Sequence, residues 1–188
     1  MDTAGPLDSM SSRHRQVIVH VHPDIGMLDG IQDLAREFKI YKEQAFQYAE
    51  EEGMDAEEFL PALSKPDQEA FPPGHYLFGR DRLFTGGWLG YRARAGFGDR
   101  AANDALYHVH VYKPDDEKCI WHDEVMDVTQ WFCRSDAALI YSYFDDQSGN
   151  FNFLLLELVD PGAHDAYEQD GVIVGWRKKA DYYWRTLG

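Results

Sequence analysis

Cysteine is scarce in this chain, long apolar runs are missing, and positive charge is outnumbered. Cys119 and Cys133 are the two cysteines in 188 residues. That is too few for a disulfide framework, and no zinc-ligand spacing surrounds them, so a reducing cytoplasm is the expected setting. They read as small buried hydrophobes. The opening MDTAGPLDSMSSRHR has no apolar signal core, and no later run approaches the ~20 apolar residues of a membrane span, so no membrane is expected as a partner. With 18 Lys and Arg against 33 Asp and Glu, the net charge is -15. A balance of that sign argues against a surface that attracts nucleic acid or anionic lipid as a whole.

What is present suits one compact domain: 44% of residues are hydrophobic and 14% aromatic, enough for a sizeable core. Residues 1–14 are small and polar and read as a disordered leader, leaving 15–188 as the domain. The charge is unevenly spread. Between Asp24 and Glu69 acids dominate, with Glu50-Glu51-Glu52 and Glu57-Glu58, whereas Arg80, Arg82, Arg92, Arg94, Arg100 and Lys113 make the next stretch basic. The acidic run reads either as a solvated helix face or as a dock for a basic partner, and the basic stretch as an anion-binding patch.

Periodicity orders the elements. Val17, Val19 and Val21 alternate with Ile18, His20 and His22 up to Pro23, which predicts a strand. From Asp29 to Glu52, Ile31, Leu34, Ala35, Phe38, Tyr41, Ala45, Phe46 and Ala49 recur at helical spacing, and Gly53 stops that helix. Asp55 caps a short second helix, Ala56 to Leu60. Ser64 to His75 and Gly86 to Asn103 read as connectors. Strands are expected at Ala105 to Tyr112, Ala137 to Phe144 and Phe151 to Leu158, the last two joined as a hairpin by Asp145 to Asn150. Trp121 to Phe132 is open between helix, strand and loop, with a lean to strand. A final amphipathic helix runs from Gly171 to Thr186.

Polar groups at the strand borders carry the chemistry. His108 and His110 share one strand face by their two-residue spacing and can hold a proton-donating and a proton-accepting imidazole together. His20 and His22 repeat that spacing. Arg134 and Asp136 flank the entrance of an apolar strand, where Arg binds phosphate as a fork and Asp orients a neighbour. His164 follows the turn Asp160-Pro161-Gly162, a place where catalytic groups are common. Arg80 and Asp81 after Gly79 offer an ion pair or an anion contact, and Lys178, Lys179 and Arg185 on the last helix offer phosphate contacts. Each also has an ordinary structural reading as a sheet histidine, a turn pair or a helix-end cation.

Taken in order, Tyr76 to Asp81, Leu106 to His110, Arg134 to Asp136 with Leu139 to Tyr141, Leu154 to Leu156 with Asp160 to His164, and Ala180 to Arg185 resemble the YafO family of bacterial toxin-antitoxin toxins, which are similar to RelE-type ribonucleases. The likeness covers roughly residues 28 to 188. It implies an α+β, RelE-like fold, with a small antiparallel β-sheet packed against two N-terminal helices and a C-terminal helix. The acidic stretch around 43–75 would be a helical insertion.

It further implies a metal-independent endoribonuclease without a cofactor, acting on messenger RNA at the ribosome, and a cognate antitoxin as partner. The RNA 2'-hydroxyl would attack the adjacent phosphate. The roles implied are His108 or His110 as acid or base, His164 as the opposite partner, Arg134 and Arg185 on the phosphate, and Asp136 as orienter. Arg80, Asp81, Lys178 and Lys179 would bind substrate. Two other functions stay in view: a catalytically degenerate toxin-like module that binds protein, and a metal-dependent hydrolase built from His20, His22, His108 and His110 should the first strand neighbour the strand from Ala105.

Overall fold

The computed structural model describes residues 15–64, 75–84, 106–117, 119, 121, 129–145 and 149–187. The expected leader, most of both connectors and most of the ambiguous segment before Phe132 lie outside the described residues. Among the described residues five strands run β1 (Val17–Val21), β2 (Phe78–Leu83), β3 (Leu106–Val111), β4 (Ala138–Asp145) and β5 (Phe151–Val159). The helices are α1 (Ile31–Glu51), α2 (Ala56–Phe59), α3 (Ala163–Tyr167) and α4 (Asp170–Leu187), with a 3-10 turn at Gln130–Phe132.

α1 forms where its apolar spacing predicts. It buries Ile31, Ala35, Phe38, Tyr41, Ala45 and Ala49, and Gly53 ends it at φ 67, a left-handed angle that glycine adopts without penalty. α2 starts at Asp55, whose carboxylate accepts the Glu57 N–H at 2.9 Å. α1, α2 and α4 lie within two residues of the expected ends, whereas α3 forms where the sequence predicts only a turn before His164.

The sheet order is β1-β5-β4-β3-β2. β2, β3, β4 and β5 pair antiparallel in succession, as the hairpin reading of β4 and β5 requires. β1, however, pairs parallel with β5, Val17 opposite Phe151, so the sheet is mixed and not purely antiparallel. No tight turn joins β1 to its partner, and a long connection through α1 leaves parallel pairing open.

β2 is a strand in the stretch between the two expected connectors, where the sequence predicts no element. Its six residues, FGRDRL, hold three charges and a glycine, which hides any apolar alternation. It lies at the sheet edge, where charge is tolerated, and its register on β3 shifts between Phe78 and Asp81.

Side-chain alternation divides the core between the two faces of the sheet. α1 and α2 cover Phe78, Val109, Val111, Leu139, Tyr141, Phe153 and Leu155. α3 and α4 cover Phe84, Leu106, Ala138, Ile140, Leu154 and Leu156 through Ala163, Ile173, Trp176 and Ala180. Helices therefore sit on both faces, and the face holding Leu106 also receives His108 and His110.

Candidate active site

The two histidines of β3 lie under α3. His108 packs between Phe84 and Tyr167, with ring centroids 4.5 Å and 4.9 Å away, and its Nδ1 has no hydrogen-bond partner among the described residues. His110 places Nδ1 2.8 Å from the Ser135 carbonyl oxygen. The Ser135 N–H lies farther from the same Nδ1, at 3.3 Å; the shorter contact is to a carbonyl, which only accepts, and it favours the proton on Nδ1 with the lone pair on Nε2. Both residues are buried. Burial, helped by the positive field of His110, Arg82 and Arg80, holds His108 well below the usual imidazole range. His110 is lowered to about 4, by burial first, with His164, Arg80 and Arg134 adding to it against the Ser135 hydrogen bond. At neutral pH both are therefore uncharged.

His164 stands over them. Gly162, at φ 95, opens α3 and turns the chain after β5. That brings the exposed His164 ring 5.6 Å from the ring of His110. Its Nδ1 lies 3.1 Å from Asp136 Oδ1, so the carboxylate accepts that N–H and leaves Nε2 for other work. Asp136 is fixed in turn: its N–H donates to Asp116 Oδ2 at 2.6 Å, and its carbonyl accepts from Ala163 N–H at 3.2 Å. It also borders an open, largely acidic cleft of about 420 Å³ shared with Asp115, Asp116, Glu117 and Asp160.

Three guanidinium groups meet beside the histidines. The register shift in β2 turns Arg80 and Arg82 to this side, Arg82 pairing with His108 across the ladder. Trp131 receives both, with Arg80 4.2 Å and Arg82 5.2 Å from its ring centroid, and its carbonyl accepts the Arg80 Nε–H. Arg80 is lowered to about 10, by burial first and then by Arg134 and Arg82. Such mutual repulsion between cations is relieved by an anion placed among them. Arg134 is exposed.

Gly79 lets this corner close. A Cβ there would stand 2.4 Å from the Cys133 carbonyl oxygen and 2.9 Å from Trp121, while the neighbouring Arg80 N–H donates to that same carbonyl at 2.7 Å.

Other expected site residues stand apart. Asp81 is fully buried on the opposite face, 2.6 Å from Lys42 Nζ, so it is a core residue and not a substrate contact. Lys179 bridges Asp24 at 2.9 Å and Glu157 at 3.2 Å, and Lys178 is exposed on α4. Arg185 pairs with Asp181 at 2.8 Å. Its neighbour Trp184 donates to Ser142 Oγ, whereas Ala138, near the opposite end of β4, is the residue in register with His110. β5 and β4 separate β1 from β3, so His20 and His22 do not join His108 and His110, and the four-histidine metal constellation does not form. Trp131 and Tyr167 border the site without a signal in the sequence, where Arg82 stands out only as local charge; the alternation of Arg80 and Arg82 is the available hint.

A family model described as Toxin YafO, type II toxin-antitoxin system, matches residues 69–185. No curated protein matches, and no solved structure does.

Proposed function

The chain belongs to the YafO toxin family of type II toxin-antitoxin systems, and on that footing we propose that it is an endoribonuclease cleaving messenger RNA at the ribosome. The membership also implies an antitoxin partner. The observation that carries the reading is the half-exposed His164, its Nδ1–H directed to Asp136 at 3.1 Å, beside the cluster of Arg80, Arg82 and Arg134.

In the proposed reaction His164 Nε2 takes the proton of the RNA 2'-hydroxyl, and that oxygen attacks the adjacent phosphorus. The bond to the 5'-oxygen breaks, giving a 2',3'-cyclic phosphate and a 5'-hydroxyl that leaves with a proton from water. Asp136 keeps the His164 tautomer and steadies the imidazolium. Arg134 and Arg80 hold the phosphorane-like charge. His110, neutral and seated beneath His164, supports the ring from below. No metal enters this scheme.

The acidic protein gathers Arg80, Arg82 and Arg134 beside His164, and the ribosome supplies the remaining affinity and position. The second reading, a toxin-like module that binds protein without cleaving, is favoured by the burial of both β3 histidines.

Cleavage of ribosome-loaded messenger RNA, mapped at the new 5' ends, separates the two. His164→Ala and Arg134→Ala are each expected to lower the rate ~100-fold or more with the fold intact. Wild-type protein that leaves transcripts whole, or variants that cleave like wild type, would overturn the nuclease assignment.

A further inference from the structure

The α1 face holds a polar network that the proposed reaction does not use. Lys42 is fully buried in the apolar stripe of α1. Its Nζ donates to Asp81 Oδ2 at 2.6 Å, to the Leu60 carbonyl at 2.7 Å and to Tyr141 Oη at 3.0 Å. Asp81 also accepts from Tyr41 Oη at 3.1 Å and Tyr141 Oη at 2.5 Å, and Gln130 Nε2 donates to Tyr41 Oη at 2.5 Å. Every proton of the ammonium is taken, and both carboxylate oxygens accept.

A buried ion pair of this kind is not an economical source of stability, since apolar residues of similar volume commonly do as well or better. What it supplies is position. Asp81 lies between Arg80 and Arg82 on β2, and Gln130 precedes Trp131. In each segment one residue enters the network below, and its neighbours reach the arginine cluster above.

β2 is an edge strand with a register shift between Phe78 and Asp81, a place where pairing is weakly specified. A slip of one residue exchanges the two faces of a strand. Here it would carry Asp81 toward the phosphate site and turn the flanking arginines toward the core. The backbone of Asp81 is pinned as well, its N–H donating to Ser64 Oγ at 2.9 Å and its carbonyl accepting from Ser64 N–H at 2.9 Å.

We infer that Lys42 and Asp81 are positioning residues for the phosphate site: their pair locks β2 in the register that presents Arg80 and Arg82 to RNA. The catalytic part of this inference rests on the nuclease reading above; the register lock itself does not.

The test is the double variant Lys42→Met/Asp81→Asn, which removes both charges together. Melting, amide hydrogen exchange and cleavage of ribosome-loaded messenger RNA are followed. The expected result is a folded protein in which the amides of Arg80 and Arg82 exchange at least ~10-fold faster while β4 and β5 keep their protection, and in which kcat falls ~100-fold with KM little changed. Wild-type cleavage by the folded double variant overturns the inference, and so does a loss of kcat without faster exchange in β2.

If wild-type protein does not cleave RNA, the nuclease reading falls while the exchange data still decide the lock. If the double variant does not fold, wild-type exchange decides it: the Asp81 amide must exchange as slowly as the slowest amides of β4, and faster exchange overturns the lock.

Discussion

The two faces of the sheet use charge in opposite ways. Under α1, Lys42 and Asp81 are sealed among Phe38, Tyr41, Tyr141 and Phe153, with every polar contact internal. Under α3 the arginines of the cluster lie within one another's field, and the site opens outward through Arg134 and His164. On the closed face the Lys42 ammonium donates to Asp81, Leu60 and Tyr141, and Gln130 Oε1 is the network's buried atom without a partner among the described residues. On the open face Arg134 and Arg82 add to the effect of burial on Arg80, beside a His164 whose Nδ1 faces Asp136, and an anion placed there would relieve that repulsion. A buried pair alone therefore marks construction, whereas clustered like charge beside an oriented histidine suits chemistry.

The sharpest way to break this contrast is to remove one partner on the closed face. Lys42→Met leaves Asp81 buried without its cation, and urea unfolding should show a loss of about 3–5 kcal/mol. A loss below ~1 kcal/mol would mean that water reaches Asp81 and that the face is not closed.

The open face carries the pH dependence. His110 has a folded pKa of about 4 against an unfolded value near 6.5. Between these values the unfolded chain binds a proton that the folded chain refuses, so stability rises with pH there. Its contribution is fully present above ~6.5 and is lost as pH falls toward 4, on the order of 3 kcal/mol in total. His110→Gln should flatten that part of the stability profile. An unchanged slope would show that His110 is solvated in the folded state.

Gly79→Ala tests the seam between the faces. The new Cβ would meet the Cys133 carbonyl at 2.4 Å. Relief requires β2 and the segment behind it to separate, with a cost of about 1–3 kcal/mol and weaker cleavage through Arg80. Unchanged melting would indicate that the seam yields freely.

Sequence pattern reveals these regions unequally, for physical reasons. α1, β3, β4 and β5 were legible because helical and alternating spacings are local and each element buries one whole face. His108 and His110 were legible as same-face neighbours for the same reason. β2 was hidden by its own chemistry: with charges at Arg80, Asp81 and Arg82 and a shifted register, no apolar alternation remains to be read. Lys42 was visible in position, four residues after Phe38 and three before Ala45, but a lysine is ordinarily solvated, and its partner Asp81 is distant in sequence. The parallel pairing of β1 with β5 and the meeting of His164 with Asp136 are tertiary events, set by how separate segments pack.

The smallest effect expected is also the one that best separates sequence likeness from geometry. Arg185 falls in the last motif resembling the toxin family, and by that resemblance it would hold phosphate as Arg134 does. In the structure it pairs with Asp181 on the exposed final turns of α4, beyond Trp184 and its contact to Ser142. An exposed pair one helical turn apart contributes little to stability, and the ladder between Ser142 and Ala138 keeps it from the arginines of β2. Arg185→Ala should therefore cleave ribosome-loaded messenger RNA within about twofold of wild type, where Arg134→Ala loses ~100-fold. Equal losses from the two substitutions would mean that the RNA path runs across α4 to its C-terminal end, and the phosphate site would then have to be extended beyond the cluster around Trp131.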